Sequence, residues 1–241
     1  MQQKQRLRAT SNNDRFINAT EDIKEALQQR YGKAFNGVGE ALRFARDQRH
    51  PVALKRRDDL RLISETRNFI QHSERRGEAS VMASDWTVEL AEGLRASLVD
   101  AAPISSVMLT DYFRCSVNEK LHDVLAEMVR KDFSQAPVFE NDKFLALFTT
   151  NAVARWVSKN VEQSGELYMD AAEIGEVLGD REDHEAPIVV RKDEPVYSVI
   201  ERLSALDSQA VCVLVTDTGS ASGRLMGMVT RFDLPQMYAV V

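Results

Sequence analysis

After Pro103 the sequence repeats itself, and this repeat constrains the fold more than any other feature. Ile104-x-x-Val107-Met108 returns as Ile174-x-x-Val177-Leu178. The stretch LHDVLAEM (121–128) returns as VYSVIERL (196–203), SQAPVF (134–139) as SQAVCV (208–213), and LALFTTNAV (145–153) as MGMVTRFDL (226–234). Four echoes in one order point to two copies of a single supersecondary unit. Each copy reads as a lead-in, a helix, two β-rich strands, and a second helix that starts directly after a Thr. Length differences fall between the echoes, where loops tolerate them.

The preceding residues have a different texture. Residues 1–13 are polar and without period, and are expected to fray. Helical spacing begins at Phe16, Ile17, Ile23 and Leu27, and Tyr31-Gly32 closes that helix. A second helix follows at Val38, Ala41, Leu42 and Ala45, and His50-Pro51 breaks it. One longer helix is expected from Leu54, with Leu60, Ile63, Arg67 and Ile70 on one stripe and Gly77 as its stop. Another starts at an N-cap of Ser84 or Asp85 and ends at Pro103. This region has no strand signal. The expected class is α+β: an all-α domain over residues 14–100, then a tandem unit over 104–241 with copies at 104–160 and 174–241.

Charge divides along the same line. Residues 1–80 hold 17 Lys+Arg against 11 Asp+Glu, a balance of +6, and residues 81–241 hold 14 against 26, a balance of −12. A basic segment on an acidic body suggests different partners for the two parts, RNA among them for the first, or else an ordinary solvated helix surface. Cys115 and Cys212 lie far apart in apolar runs, without metal-ligand spacing, and read as buried thiols in a reducing compartment. No apolar run approaches the ~18 residues of a membrane span. The N-terminus lacks the apolar core of a secretory signal, so a cytoplasmic protein with no membrane partner is expected.

The richest motif is Gly227-Met228-Val229-Thr230-Arg231-Phe232-Asp233-Leu234. Gly227 permits close backbone approach. Thr230 ends a strand and opens a helix, so its hydroxyl can cap that helix or bond a phosphate. Asp233, in the first helical turn, can accept hydrogen bonds from a ribose diol, or serve only as a favourable N-terminal acid.

With its repeat, this motif resembles the paired cystathionine-β-synthase (CBS) motifs, built from β-α-β-β-α units, over residues 104–238. The resemblance implies a sensor of an adenine nucleotide (AMP, ADP or ATP). Thr230 and Asp233 would contact phosphate and ribose, Gly227 and Arg231 would lie in the same motif, and the base would enter an apolar cleft lined by segments such as 187–190 and 209–213, including Val189 and Ala210. The first copy departs from the pattern. Ala146 and Ala152 replace the Gly and the Asp, Thr149 remains, and Asn151 sits one residue early. One competent site per chain, or an asymmetric pair, is expected. The run Phe148–Trp156 also resembles CBS pairs that bind cyclic di-AMP, and S-adenosylmethionine is a further alternative ligand.

In the helical region, Arg67-Asn68-Phe69-Ile70-Gln71-His72 resembles the R-polar-x-x-x-H signature of HEPN domains, over about residues 14–100. Catalytic HEPN proteins bring Arg and His of two protomers together and cleave RNA without metal. A histidine near its reference value of ~6.5 suits removal of a 2′-hydroxyl proton, and arginine suits a phosphorane. Asn68 and His72 share a helical face, whereas Arg67 and His72 are about 140° apart, so a dimer axis would have to unite them. The alternatives are an ion-paired Arg67, a hydrogen-bonding Asn68, and a helix-end His72 favoured by the macrodipole. His50, His122 and His184 have no partners at ligand spacing. The reading is a homodimeric regulatory protein that relays nucleotide binding to a helical output domain, or alternatively a nucleotide-gated ribonuclease.

Overall fold

The computed structural model describes residues 11–72, 74–75, 78–79, 81–141, 143–162, 164–205 and 208–241. It divides into two compact units, Met1–Ala102 with Val240–Val241, and Pro103–Ala239.

The first unit is built on helices α1 (Asn12–Tyr31), α2 (Val38–Asp47), α3 (Pro51–Lys55), α4 (Arg57–His72) and α5 (Asp85–Val99). The α1 helix starts earlier than its apolar period suggests. Ser11 accepts from the Asp14 N–H at 3.2 Å, and the Asp14 carboxylate accepts from the Ser11 N–H at 3.1 Å. This reciprocal cap satisfies two N-terminal donors, so Ser11–Asn13 are ordered by polar chemistry rather than frayed. Gly32, at φ 59°, closes the helix in the left-handed region. Phe16, Ile23 and Leu27 on α1 are buried, as are Val88, Ala91 and Leu94 on α5, along which α1 packs. Full burial of each large apolar side chain contributes about 1.5–3 kcal/mol.

The single long helix expected from Leu54 is two helices. Pro51 starts α3 at its first turn, and Arg56, at φ −107°, breaks the chain before α4. Leu60, Ile63 and Ile70 of α4 are buried as the stripe predicts. The expected stop at Gly77 lies outside the described residues. A two-residue hairpin, β1 (Glu74–Arg75) against β2 (Glu78–Ala79), corrects the strand-free reading of this region. Ser84 caps α5, accepting from the Thr87 N–H at 3.2 Å.

The second unit contains β3 (Cys115–Ser116), α6 (Leu121–Lys131), β4 (Gln135–Glu140), β5 (Lys143–Thr149) and α7 (Thr150–Asn160) as its first copy. The second copy comprises α8 (Ile174–Leu178), β6 (Ile188–Arg191), α9 (Val196–Ser204), β7 (Cys212–Thr216), β8 (Leu225–Thr230) and α10 (Leu234–Ala239). The two sheets share one topology. In each, the first strand runs parallel to the second, and the second pairs antiparallel with the third. This is the α+β class expected from the repeat.

The copies are interlocked through their lead-ins. The N–H groups of Ile104 and Ser105 donate to the carbonyls of Glu194 (2.7 Å) and Lys192 (3.1 Å) in the second copy. Their echoes, Ile174 and Gly175, donate to Glu119 (3.0 Å) and Val117 (2.9 Å) in the first. Leu109 then pairs with Met228 on β8, through N–H to carbonyl bonds of 2.9 and 3.0 Å. Gly227 is required there, because a Cβ at this position would stand 2.7 Å from the Leu109 carbonyl oxygen. An apolar cluster of Leu147, Cys212, Leu214 and Met228 joins β5 of one copy to β7 and β8 of the other.

His50 is completely buried in the helical unit. Burial first, and then the Arg30 charge, push its imidazole down to about 3 from an ordinary 6.5. It therefore stays neutral in the fold while the unfolded chain takes up a proton below its own value. Its contribution to stability is complete above pH 6.5 and is lost as pH falls toward 3. Between pH 7 and 5 the wild type should lose about 2 kcal/mol more than a His50→Leu variant in denaturant titrations, and parallel losses would contradict this assignment.

Candidate functional site

The end of β8 determines the local geometry of the second copy. Thr230 is extended, at φ −122° and ψ 177°, and a single helical turn, Arg231–Asp233, follows it. Its hydroxyl accepts from the Phe232 N–H at 3.2 Å. Asp233 Oδ2 accepts from both the Thr230 N–H (2.7 Å) and the Thr230 hydroxyl (3.0 Å). Thr230 is thus a helix cap, and Asp233 closes the reciprocal cap. Both bonds fall on Oδ2; among the described residues Oδ1 takes none, which leaves its lone pairs for a diol.

The pair opens on a cavity of about 470 Å³ between the two copies. Three segments build most of it, the lead-in 109–113, the turn 132–135 ahead of β4 and the β8 end at 228–233, and Thr150 at the head of α7 completes the lining. Its volume is in the range of small-molecule sites. Leu109, Tyr112, Phe133 and Met228 give it apolar walls suited to a flat ring system. Phe232, 86% exposed, stands between this cavity and a second one of about 550 Å³.

The structure distributes the remaining residues of the motif. Arg231 lines the second cavity with Ser208 and Gln209, and donates to the Ser208 carbonyl at 2.5 Å. Gly227 faces Leu109 and the Met108 side chain. Val189 packs on the Cys212–Leu214–Met228 cluster, and Ala210 is half-buried in the segment leading to β7. The sequence-level reading missed Asp111, Tyr112, Asp132 and Gln135 as lining residues. One signal was present: Ser134-Gln135 and Ser208-Gln209 open the same echo and border the two cavities.

The first copy is arranged differently. Thr149 caps α7, accepting from the Ala152 N–H at 3.1 Å, and its hydroxyl donates to Glu185 Oε1 at 2.5 Å. Glu185 is 1% exposed and also holds the Arg155 guanidinium and the Glu182 N–H, the latter at 2.9 Å. The carboxylate that Ala152 lacks is supplied from the α8–β6 connection of the second copy, and Thr149 is committed to it.

In the helical unit, Arg67 points to α1, where it pairs with Glu21, and it also bonds Gln71. Lys24 and then Arg67 hold the Glu21 carboxyl below its ordinary range. Asn68 and His72 are exposed on α4. The two cysteines are buried, and burial pushes both thiols up to about 12, which removes them as nucleophiles at neutral pH. Among the described residues no three His, Cys, Asp or Glu side chains are placed to hold a metal ion, and no helix is long and apolar enough to cross a membrane.

A protein-family model described as the CBS domain matches residues 104–159. No curated protein matches the chain. Several solved structures are similar. The CBS domain pair of protein MJ0100, in complex with 5-methylthioadenosine and S-adenosyl-L-methionine, is 16% identical, with 58% of this chain and 97% of that one covered and a TM-score of 0.42. CBSX2 in complex with AMP is 16% identical, with 56% and 93% covered and a TM-score of 0.42. The CBS domain of the bacterial CNNM/CorC family Mg2+ transporter in complex with ATP is 15% identical, with 57% and 87% covered and a TM-score of 0.42. The match to the CBS-domain model thus falls on the first copy of the second unit, and a second copy with the same strand order follows it.

Proposed function

We propose that the mixed unit is a regulatory module that binds one adenine nucleoside or nucleotide between its two copies and relays occupancy to the helical unit. The observation that carries this reading is the Thr230–Asp233 pair, which opens on an apolar-walled cavity with a carboxylate oxygen to spare. Asp233 takes the ribose diol, the aromatic and aliphatic walls take the base, and Thr230 keeps both in register with β8. The commitment of Thr149 to Glu185 supports a single site per chain. A differential-scanning comparison of AMP, ADP, ATP, S-adenosylmethionine and cyclic di-AMP should find at least one compound that raises Tm by several degrees at 100 times its Kd, as mass action requires. Asp233→Ala should remove that rise; an unchanged rise in the variant would place the ligand elsewhere.

The output works through a cytoplasmic homodimer, in which ligand occupancy alters how the two α4 helices face each other. The exposed His72 at the end of α4 favours a second reading, metal-independent cleavage of RNA. Arg67, engaged by Glu21 within its own chain, weighs against it, and a non-catalytic, partner-binding output is preferred. Wild type incubated with RNA in chelator should leave it intact. Cleavage that disappears in His72→Ala would reverse that preference.

A further inference from the structure

Every charged side chain that lines the cavity between the copies, among the described residues, is acidic: Asp111, Asp132 and Asp233. Asp233 is bonded to Thr230, but Asp111 and Asp132 are exposed at the cavity wall and, among the described residues, have no ion-pair partner. Asp132 is held in place by its backbone. It sits at φ 58° as the cap of α6, and the turn is locked by the Phe133 N–H on the Met128 carbonyl at 2.9 Å. The carbonyl end of α6 adds to the negative potential there. The helix start bordering the cavity offers little in return. At the head of α7 the Thr150 N–H is taken by the Ser134 carbonyl (3.1 Å), and the Ala152 N–H by Thr149 (3.1 Å). Arg231, the cation of the motif, lines the neighbouring cavity and is turned to the Ser208 carbonyl.

A 5′-phosphate carries one to two negative charges at neutral pH, and this wall would repel it. We infer that the adenosine ligand of this site carries an uncharged or cationic 5′ substituent, a thioether or a sulfonium with its ammonium group, and that Asp111 and Asp132 set this preference. The inference rests on the adenosine reading above and narrows it. The three carboxylates are not arranged to hold a metal ion that would invert their effect. A sulfonium or ammonium placed between Asp111 and Asp132 gains from the same field that excludes a phosphate.

Isothermal titration of the full chain with adenosine, 5′-methylthioadenosine, S-adenosylmethionine, AMP and ATP tests this, first in chelator and then with Mg2+. S-adenosylmethionine should bind at least about tenfold tighter than AMP or ATP in both conditions, as a few close unit charges of each sign imply. The double variant Asp111→Asn/Asp132→Asn should narrow that gap to about threefold or less, since neutral Asn keeps the shape and tolerates the left-handed position. AMP or ATP binding as tightly as S-adenosylmethionine in either condition would overturn the inference and leave the adenosine reading standing, as would a gap unchanged in the double variant. Failure of all five compounds to bind would overturn both.

Discussion

The exchange of lead-in segments between the two copies is the interaction on which the site depends. A unit of about 60 residues buries only about 60% of the surface its unfolded chain exposes and is marginal alone. Here each copy lends its first residues to the other through paired backbone bonds, Ile104 on Glu194 and Ile174 on Glu119. The Leu109–Met228 pair extends this exchange to the open edge of β8. The cavity follows from it, because the lead-in that reaches β8 carries Asp111 and Tyr112 across to face Thr230 and Asp233. Gly227 is the residue that allows the approach, and any side chain there would push the lead-in away from the site.

The same scaffold yields two unlike ends. In the second copy the carboxylate lies three residues after the Thr, in the first turn, and keeps one oxygen for a partner. In the first copy that position is Ala152, and Glu185 arrives from the α8–β6 connection of the second copy to occupy the Thr149 hydroxyl. A buried carboxylate without partners would be costly, and Glu185 is satisfied by hydroxyl, guanidinium and backbone together. Under the proposed function, ligand chemistry and structural chemistry are divided between two copies of one unit. The charged side chains lining the open end are Asp111, Asp132 and Asp233 among the described residues.

Much of the mixed unit was legible from its echoes. Strands at 135–140, 143–149, 188–191, 212–216 and 225–230 coincide with β-rich runs, because short continuous apolar stretches with β-branched residues mark them locally. The repeat also carried the α+β class. The interlock was not legible, since its bonds are made by backbone groups that leave no side-chain signature. Gly227 read as a place for close approach, but the sequence offers no way to tell a ligand from Leu109. Asp132 gave no warning either: its left-handed cap is a property of the turn after α6, and its place on the cavity wall follows from how the copies meet. In the helical unit the apolar stripes of α1 and α4 were clear. Arg67 on that stripe was ambiguous until Glu21 was seen opposite it, 46 residues earlier in the chain.

The central claim is that one adenosine ligand bridges three segments brought together by the interlock. Hydrogen–deuterium exchange with and without saturating S-adenosylmethionine tests it most directly. Protection should rise together at residues 109–113, 132–135 and 228–233, with the first-copy segment 152–160 unchanged. Protection confined to one of the three segments, or centred on 152–160, would contradict it.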